Sequence, residues 1–227
     1  ILVKWSEAAW DLLRSSGLKS ILIGAESGYS ESLKLISKGA TVEQTIALAD
    51  LAEKHGISLW FSLFSGLPWL PEAGPPSIAY ARGKNREDFK ATIELLKRVV
   101  KRRSEHRYLY FRFSPYPGTG LLEQAGKLGF RFPENLEAWA EYSLDNRNTE
   151  FLDRDIEESL DVLQNYILPL LSGTKLSIAG RQVNPLYRSL AKLVVSFFMS
   201  LAWLRWRKGW FGKSWDDAVY RFLRRMW

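Results

Sequence analysis

Cysteine is absent from this chain of 227 residues, and its absence excludes several kinds of site. Without thiols the chain has no disulfide framework, no thiolate zinc site and no ligands of its own for an iron–sulfur cluster. The two histidines, His55 and His106, are too few for a histidine-rich metal site. The composition therefore excludes metal centres that depend on sulfur or on several imidazoles.

Long hydrophobic runs are also missing. The longest uncharged apolar stretch covers 193–204 and is shorter than the roughly 20 residues that a membrane-spanning helix needs. The start of the chain shows no signal-peptide pattern, and we expect a cytoplasmic protein. Because the first residue is Ile1 rather than Met, we also expect a fragment or a processed product.

Charge is present but unevenly distributed. Residues 181–227 contain ten Lys or Arg and two Asp, a net charge of +8, whereas residues 1–179 contain 22 Lys or Arg and 23 Asp or Glu. The basic character of the protein therefore belongs to its C-terminal segment and not to its main domain.

Helical and strand patterns alternate over residues 1–133. Apolar periodicity predicts helices over 6–16, 31–37, 42–55 and 88–102, the first three capped by Ser6, Ser30 and Thr41, and a further helix that follows Thr119 and runs to 127–129. Apolar runs predict strands over 19–25, 57–64 and 107–113. Such alternation is typical of right-handed βαβ units and a parallel sheet. The run Ile21-Leu22-Ile23 predicts a first strand that is buried on both faces. From 134 to 227 the pattern is helical only, so we place a boundary near residue 133.

Each predicted strand ends in small or polar residues. Glu26 and Ser27 follow the first strand, Ser65 and Gly66 the second, and Ser114 the third. Because ligands bind at the carboxyl ends of the strands in α/β sheets, we expect these residues to form a ligand-binding edge.

Three elements in this order resemble part of a known domain. They are GAESG at 24–28, a strand that ends in SGLP at 65–68, and a strand that ends in SPYPGT at 114–119, with helices between them. Together they resemble the second half of a radical S-adenosylmethionine (SAM) domain, and most of all the branch that carries a cobalamin-binding domain. The resemblance implies an α/β fold, the second half of a (βα)6 partial TIM-like barrel with parallel strands over 1–133, followed by an all-helical region over 134–227.

The resemblance also implies chemistry and site residues. In this family a 4Fe-4S cluster cleaves SAM to a 5′-deoxyadenosyl radical, and cobalamin-associated members are typically methyltransferases, cyclases or related tailoring enzymes. The residues that match SAM-contacting positions are Glu26, Ser27, Ser65, Gly66, Phe113 and Ser114. The two that follow the first strand would make the main polar contacts, and the last two would flank the adenine through their backbone. The implied substrate is a small or lipid-like molecule.

The chain departs from the family in several features, including the glycine-rich second strand, which is absent. The three closely spaced cysteines that hold the cluster are absent, and Trp69 stands where a glycine is usual after Leu67-Pro68. We therefore expect the cluster motif, and a cobalamin domain, in preceding sequence, and we expect this chain alone to be catalytically inert. The alternative is a non-catalytic α/β scaffold with a basic tail that binds a membrane surface.

Several charged side chains have two interpretations. Glu26 either contacts a ligand or caps the helix at 31–37, and we favour the ligand. Lys38 either reaches a carboxylate across the sheet edge or, as we favour, serves the helix C-terminus. Arg112 points either into the mouth of the barrel or under a helix toward an acidic residue. His106 follows a basic run and is expected at the surface.

The basic tail has three interpretations. Apolar residues at helical spacing over 184–208 are followed by tryptophans interleaved with cations. This pattern predicts either a helix packed on the main domain or peripheral contact of 184–227 with the inner face of a membrane. Nucleic-acid binding is a third interpretation from charge, but no recognition motif supports it. We favour packing.

Overall fold

The alternation of helices and strands is confirmed in the computed structural model, which describes residues 2–101, 105–140, 150–172 and 185–226. The strands are β1 (Ser20–Glu26), β2 (Ser58–Ser65) and β3 (Arg107–Arg112). After a 3-10 turn at Leu2–Lys4, the helices of this part are α1 (Glu7–Ser15), α2 (Ser30–Leu35), α3 (Val42–Lys54), α4 (Ile78–Val99) and α5 (Gly120–Lys127). The chain therefore forms an α/β structure in the predicted element order.

Capping side chains explain where several helices begin. Ser6 accepts a hydrogen bond from the backbone N–H of Ala9 at the start of α1. Thr41 and Gln44 form a capping box at the start of α3, in which each side chain accepts from the other residue's backbone N–H. These two helix starts agree with the sequence prediction.

Two helix starts differ from the prediction. Helix α4 begins at Ile78 rather than at Asp88, because Ser77 caps it by accepting from the Tyr80 N–H. Helix α2 begins at Ser30 itself, so Ser30 is not its cap, and Tyr29 occupies the cap position without a side-chain hydrogen bond. The first difference matters most, since it places Asp88 in the middle of a helix instead of at its end.

The three strands form one parallel sheet in the order β1-β2-β3. Right-handed crossovers that each move to the next strand in the same direction place successive helices on the same face of the sheet. In agreement, α3 and α4 contact each other and both contact β2. Within the described ranges the sheet is open and is not closed into a barrel.

The sheet is covered on one face and open on the other. Leu59, Phe61 and Leu63 of β2 are completely buried, whereas the residues between them are only half-buried. On the open face Leu22 is 64% exposed and Leu109 is 36% exposed. The prediction that β1 is buried on both faces is therefore wrong, because β1 is the edge strand of a one-sided sheet.

The C-terminal part is helical and completes the core on the covered face. Its elements are α6 (Leu136–Ala140), α7 (Arg154–Val162), a π-helical turn (Leu163–Ile167), α8 (Leu168–Leu171), α9 (Pro185–Lys208) and α10 (Trp215–Met226). Leu160, Tyr166 and Phe198 belong to one apolar core with Phe61 of β2. The parts before and after the boundary predicted near residue 133 therefore share that core.

None of the helices in the described ranges combines the length and the apolar character needed to cross a bilayer. Positions 184 and 227, the ends of the tail segment singled out in the sequence, lie outside the described residues.

Candidate functional site

The structure brings the three strand ends to one edge of the sheet. Glu26 at the end of β1 pairs in register with Leu63 of β2. Ser65 at the end of β2 pairs with Arg112, and its carbonyl oxygen accepts from the Phe113 N–H at 2.8 Å. The residues that the sequence singled out are therefore neighbours, as expected for the carboxyl ends of parallel strands.

Beneath this edge lies a buried carboxylate, Asp88 of α4, which is 0% exposed. Its Oδ1 accepts from the hydroxyls of Ser27 and Ser32, both at 2.5 Å, and its Oδ2 accepts from the Ser65 hydroxyl at 2.6 Å. These three donors come from the end of β1, from α2 and from the end of β2. One side chain therefore ties three segments of the edge to α4.

Further hydroxyls extend this network. The Ser65 hydroxyl lies 2.8 Å from the phenol oxygen of Tyr110, and the Ser27 hydroxyl lies 3.2 Å from the hydroxyl of Thr92. Thr92 also accepts from the backbone N–H of Gly28 at 2.9 Å. We call these residues the Asp88 cluster: Asp88, Ser27, Ser32, Ser65, Thr92 and Tyr110.

Burial controls the protonation of the Asp88 cluster. Desolvation raises the pKa of Asp88, and the hydrogen bonds from the three serines lower it without cancelling the effect of burial. Desolvation also raises the pKa of Tyr110, and the nearby Asp88 charge adds to that rise. Among the described residues, the groups that donate to the Asp88 carboxylate are neutral hydroxyls, and no cation donates to it.

A second buried side chain of α4 holds the loop after β2. Asn85, one turn before Asp88, accepts from the Leu67 N–H and donates to the Leu67 and Phe151 carbonyl oxygens, each at 2.9 Å. Asn85, Asp88 and Thr92 are spaced at i, i+3 and i+7, which places them on one face of the helix. This polar face of α4 positions the candidate edge.

Glu26 lies above this buried layer, at the sheet edge. Its backbone has φ of 63°, and the register of β1 against β2 is interrupted between Gly24 and Glu26. Its carboxylate accepts from the Lys38 ammonium at 2.9 Å, and the two side chains are 20% and 33% exposed. A Cβ on Gly24 would lie 2.2 Å from the Glu26 Oε1, so the missing side chain at Gly24 makes room for this ion pair.

At two more positions of the edge the structure requires a glycine or favours one strongly. A Cβ on Gly28 would lie 2.3 Å from the backbone oxygen of Ala91, so only glycine lets β1 end this close to α4. Gly66 has φ of 103°, a conformation that residues with a side chain rarely adopt, and it packs against Leu152.

The six predicted site residues differ in accessibility. The side chains of Ser27 and Ser65 are buried in the Asp88 cluster, and Ser114 is 4% exposed. Phe113 is half-buried with its ring 6.3 Å from that of Phe64. Glu26 is the predicted residue whose polar side chain reaches the surface, while Gly66 offers backbone only. Their roles toward SAM stay predictions.

The structure decides between several interpretations of charged residues. The Lys38 ammonium pairs with the Glu26 carboxylate, while the Lys38 backbone N–H donates to the Leu33 carbonyl oxygen at 2.8 Å at the end of α2, so Lys38 fills both roles. Glu26 does not cap α2. Arg112 lies on the covered face and donates to the Glu157 carbonyl oxygen at 2.9 Å, under α7.

His106 is buried rather than on the surface, contrary to the prediction. It is 3% exposed, and its Nδ1 accepts from the Leu59 N–H at 3.1 Å. Desolvation lowers its pKa, so the neutral form is favoured. The basic run before it gave a misleading signal.

Sequence reasoning missed Asp88, Asn85 and Thr92. A usable signal was present, because these polar residues alternate with Phe89, Ile93 and Leu96 along a helix that packs on a sheet. A polar row on a buried helix needs partners, and serines at two strand ends are suitable ones.

The edge also borders an open cleft of about 310 Å³ beside Lys38. Its wall is formed by α2 and the turn that follows, and the lining residues are Ser30, Leu33, Lys34, Ser37, Lys38, Gly39, Ala40 and Thr41. In the part of the chain that the structure describes, no three His, Cys, Asp or Glu residues are grouped to hold a metal ion. The Glu26–Lys38 pair therefore lies beside this cleft, whose lining also offers the polar side chains of Ser30, Lys34 and Ser37.

No protein-family model and no curated protein matches this chain.

Proposed function

We propose that this chain is the C-terminal part of a radical SAM enzyme of the cobalamin-associated branch. Residues 1–133 then form the second half of a (βα)6 partial TIM-like barrel. The observation that carries the proposal is the one-sided sheet. The crossover helices α3 and α4 lie on one face, as in a barrel wall, whereas a doubly wound sheet has helices on both faces.

The open face of the sheet then faces the barrel interior, and SAM binds at the strand ends. Glu26 makes a polar contact to SAM, because its carboxylate is accessible and is held over Gly24 by Lys38. Gly66, Phe113 and Ser114 contribute through the backbone.

Ser27 and Ser65 act as positioning residues in this proposal. Their hydroxyls are bonded to Asp88, so they fix the geometry of the edge rather than meet the ligand. The same is true of Asn85, which fixes the loop at Leu67.

The residues of this chain do not fit an iron–sulfur cluster. Cluster irons are held by thiolates, and the chain has none. The cluster ligands, and any cobalamin site, belong to preceding sequence in this proposal, and no step of radical chemistry is assigned to residues described above. The transferase or tailoring activity implied by the resemblance is an activity of that longer protein.

The first experiment is to read the gene upstream of the codon for Ile1. The proposal expects three closely spaced cysteines about half a barrel before Glu26, with a cobalamin-binding domain further upstream. An initiator Met codon immediately before Ile1 would overturn it. In that case the alternative, a non-catalytic α/β scaffold with a membrane-binding tail, takes its place.

The second experiment measures SAM binding by equilibrium dialysis with the longer protein, or with this chain if it binds alone. Glu26→Gln and Gly24→Ala should each weaken binding by about tenfold, the cost of a lost charge-assisted hydrogen bond. Glu94→Gln, at an exposed carboxylate on α4, is the matched control and should bind as the unaltered protein does. Equal binding by all four proteins would remove Glu26 from the site.

A further inference from the structure

The outer face of helix α10 carries an exposed apolar stripe. Trp215, Val219 and Phe222, spaced at i, i+4 and i+7, are 63%, 42% and 63% exposed. This spacing places the three side chains on one side of the helix. Large apolar side chains exposed in a row are typical of a binding surface.

Helix α9 and the turn after it also expose large apolar side chains. Leu193, Phe197 and Leu204 repeat at helical spacing and are each about half exposed or more, and Trp210 in the turn is 59% exposed. We call the helices α9 and α10 with their connecting turn the C-terminal hairpin. Exposed apolar side chains are therefore present on both helices of the hairpin.

The opposite side of the hairpin packs against the common core. Phe198, Ala202, Trp206 and Tyr220 are buried in the common core. At its turn, Arg205 and Asp216 form a buried ion pair at 2.9 Å. The exposed stripe is therefore the outer surface of a well-packed unit, because the inner faces of both helices are already occupied.

Exposed charge on the hairpin is of one sign. Between residues 191 and 224 the exposed charged side chains are Lys192, Arg207, Lys208, Lys213 and Arg224. The two acidic residues of this stretch, Asp216 and Asp217, are each 4% exposed and are paired with Arg205 and Arg221. The surface therefore combines apolar side chains with cations and offers no exposed carboxylate in this stretch.

We propose that the C-terminal hairpin binds the surface of a membrane that contains anionic lipid. Tryptophan and phenylalanine side chains insert at the level of the headgroups, and the lysines and arginines contact the lipid phosphates. Charge complementarity favours this occupant, since anionic headgroups attract basic segments next to buried apolar side chains.

The same features disfavour two other partners. A second copy of the chain, docked symmetrically through this face, would bring one cationic surface against another. Nucleic acid would neutralise the cations but leave the exposed apolar side chains of Leu193, Val219 and Phe222 without a suitable partner, because phosphate contacts dominate such binding.

The test is flotation of the full chain with vesicles of phosphatidylcholine alone or of phosphatidylcholine mixed with phosphatidylglycerol. Binding should require the anionic lipid. The double variant Trp215→Ser/Phe222→Ser should lose at least about tenfold in binding, since both side chains supply buried apolar area. Its matched control is Trp5→Ser/Leu12→Ser, two exposed apolar residues at the other end of the chain, and should bind unchanged.

A charge variant tests the second half of the proposal. Lys208→Glu/Lys213→Glu should lose about tenfold or more in binding to the anionic vesicles, whereas Lys19→Glu/Lys127→Glu, also exposed, should lose little. All substitutions are at exposed positions, and an unchanged urea midpoint verifies that each variant is folded.

Three results would overturn the proposal. The first is equal binding to vesicles with and without phosphatidylglycerol. The second is loss of binding in the control variants to the same extent as in the hairpin variants. The third is that the chain ignores both vesicles but binds duplex DNA, or forms a dimer in sedimentation velocity, through the side chains at 208, 213, 215 and 222.

Discussion

Two buried carboxylates in different parts of the chain are stabilised in different ways. Asp88, under the sheet edge, accepts from three serine hydroxyls and has its pKa raised by desolvation. Asp216, in the hairpin, is also desolvated, but hydrogen bonds from Ser214 and Tyr166 and the charge of Arg205 outweigh burial and lower its pKa. Both are at most 4% exposed.

The comparison shows what a single cation contributes in a buried site. The hydroxyl donors stabilise the Asp88 carboxylate only in part, and the remaining desolvation cost of its charged form raises its pKa. The guanidinium of Arg205, itself 6% exposed, keeps Asp216 charged, and each of the two ions then depends on the other. We call Arg205, Asp216, Tyr166 and Ser214 the Arg205 cluster.

The largest effect is expected from Arg205→Ala, which would leave Asp216 buried without its cation. Breaking such a pair costs about 3–5 kcal/mol of unfolding free energy. Arg205 also donates to the carbonyl oxygens of Trp210 and Gly212, so the turn of the hairpin loses its ties as well. Urea unfolding followed by far-UV circular dichroism measures the loss.

Arg207→Ala is the control for this substitution. Arg207 is exposed in the last turn of the same helix, and its removal should change stability by no more than about 0.5 kcal/mol. If Arg205→Ala and Arg207→Ala lower the free energy of unfolding equally, the Arg205 cluster does not stabilise the hairpin as described.

A smaller effect is expected at the Asp88 cluster from Gly28→Ala. The added Cβ would overlap the Ala91 carbonyl of α4, and neither backbone moves easily. Overpacking of this kind costs about 1–3 kcal/mol and would also pull the Gly28 N–H away from Thr92. Gly83→Ala in the exposed part of α4 is the control and should instead stabilise by about 0.5–1 kcal/mol, since nothing lies near its Cβ. Equal effects of the two substitutions in urea would contradict the close approach of β1 to α4.

The comparison predicts opposite pH dependences for Asp88→Asn and Asp216→Asn. The folded-state pKa of Asp88 is raised above the usual 3.8, so the folded protein holds that proton more tightly than the unfolded chain does. The protein therefore loses stability as pH rises from 3.8 toward the raised pKa. The folded-state pKa of Asp216 is lowered, so its contribution is present above 3.8 and is lost as pH falls below that value.

Asp88→Asn removes the first dependence, and Asp216→Asn removes the second. The cost of Asp88→Asn, about 1 kcal/mol near pH 4 for an imperfect replacement of hydrogen bonds, should shrink as pH rises. Over the range from acid to neutral pH, the cost of Asp216→Asn should grow as pH rises toward 3.8 and stay level above that value. Urea midpoints measured across this range test both trends, and parallel trends for the two variants would contradict the assigned roles.

The sequence predicted the elements of the two regions better than their polar contacts. Strands ending in small and polar residues, and the caps at Ser6 and Thr41, follow from local rules and are confirmed. The start of α4 was predicted ten residues too late, because Gly83 and the Pro- and Gly-rich stretch before it lower the helical signal ahead of Asp88.

The buried polar contacts could not be predicted because they join distant parts of the chain. The hydrogen bonds from Ser27 and Ser65 to Asp88 depend on how a crossover helix lies across two strands. No local sequence pattern predicts that arrangement. The exposure of Leu22 is equally non-local, since a run of three apolar residues does not reveal which face of a sheet lacks a covering layer. The function of the edge follows from neither kind of signal, so it stays a proposal.

The smallest effect is expected at the third carboxylate, Glu26, which has a cation but is only partly buried. Double-mutant cycles with Glu26→Gln and Lys38→Met should give a coupling below about 1 kcal/mol, because water screens a pair of this exposure. The exposed Glu94–Lys97 pair on α4 serves as the reference and should give a coupling no larger. A coupling at Glu26–Lys38 as large as the loss in Arg205→Ala would mean that the cation matters regardless of burial. A small coupling, together with the loss of SAM binding proposed for Glu26→Gln, would mean that this carboxylate is kept at the edge for a ligand and contributes little to the fold.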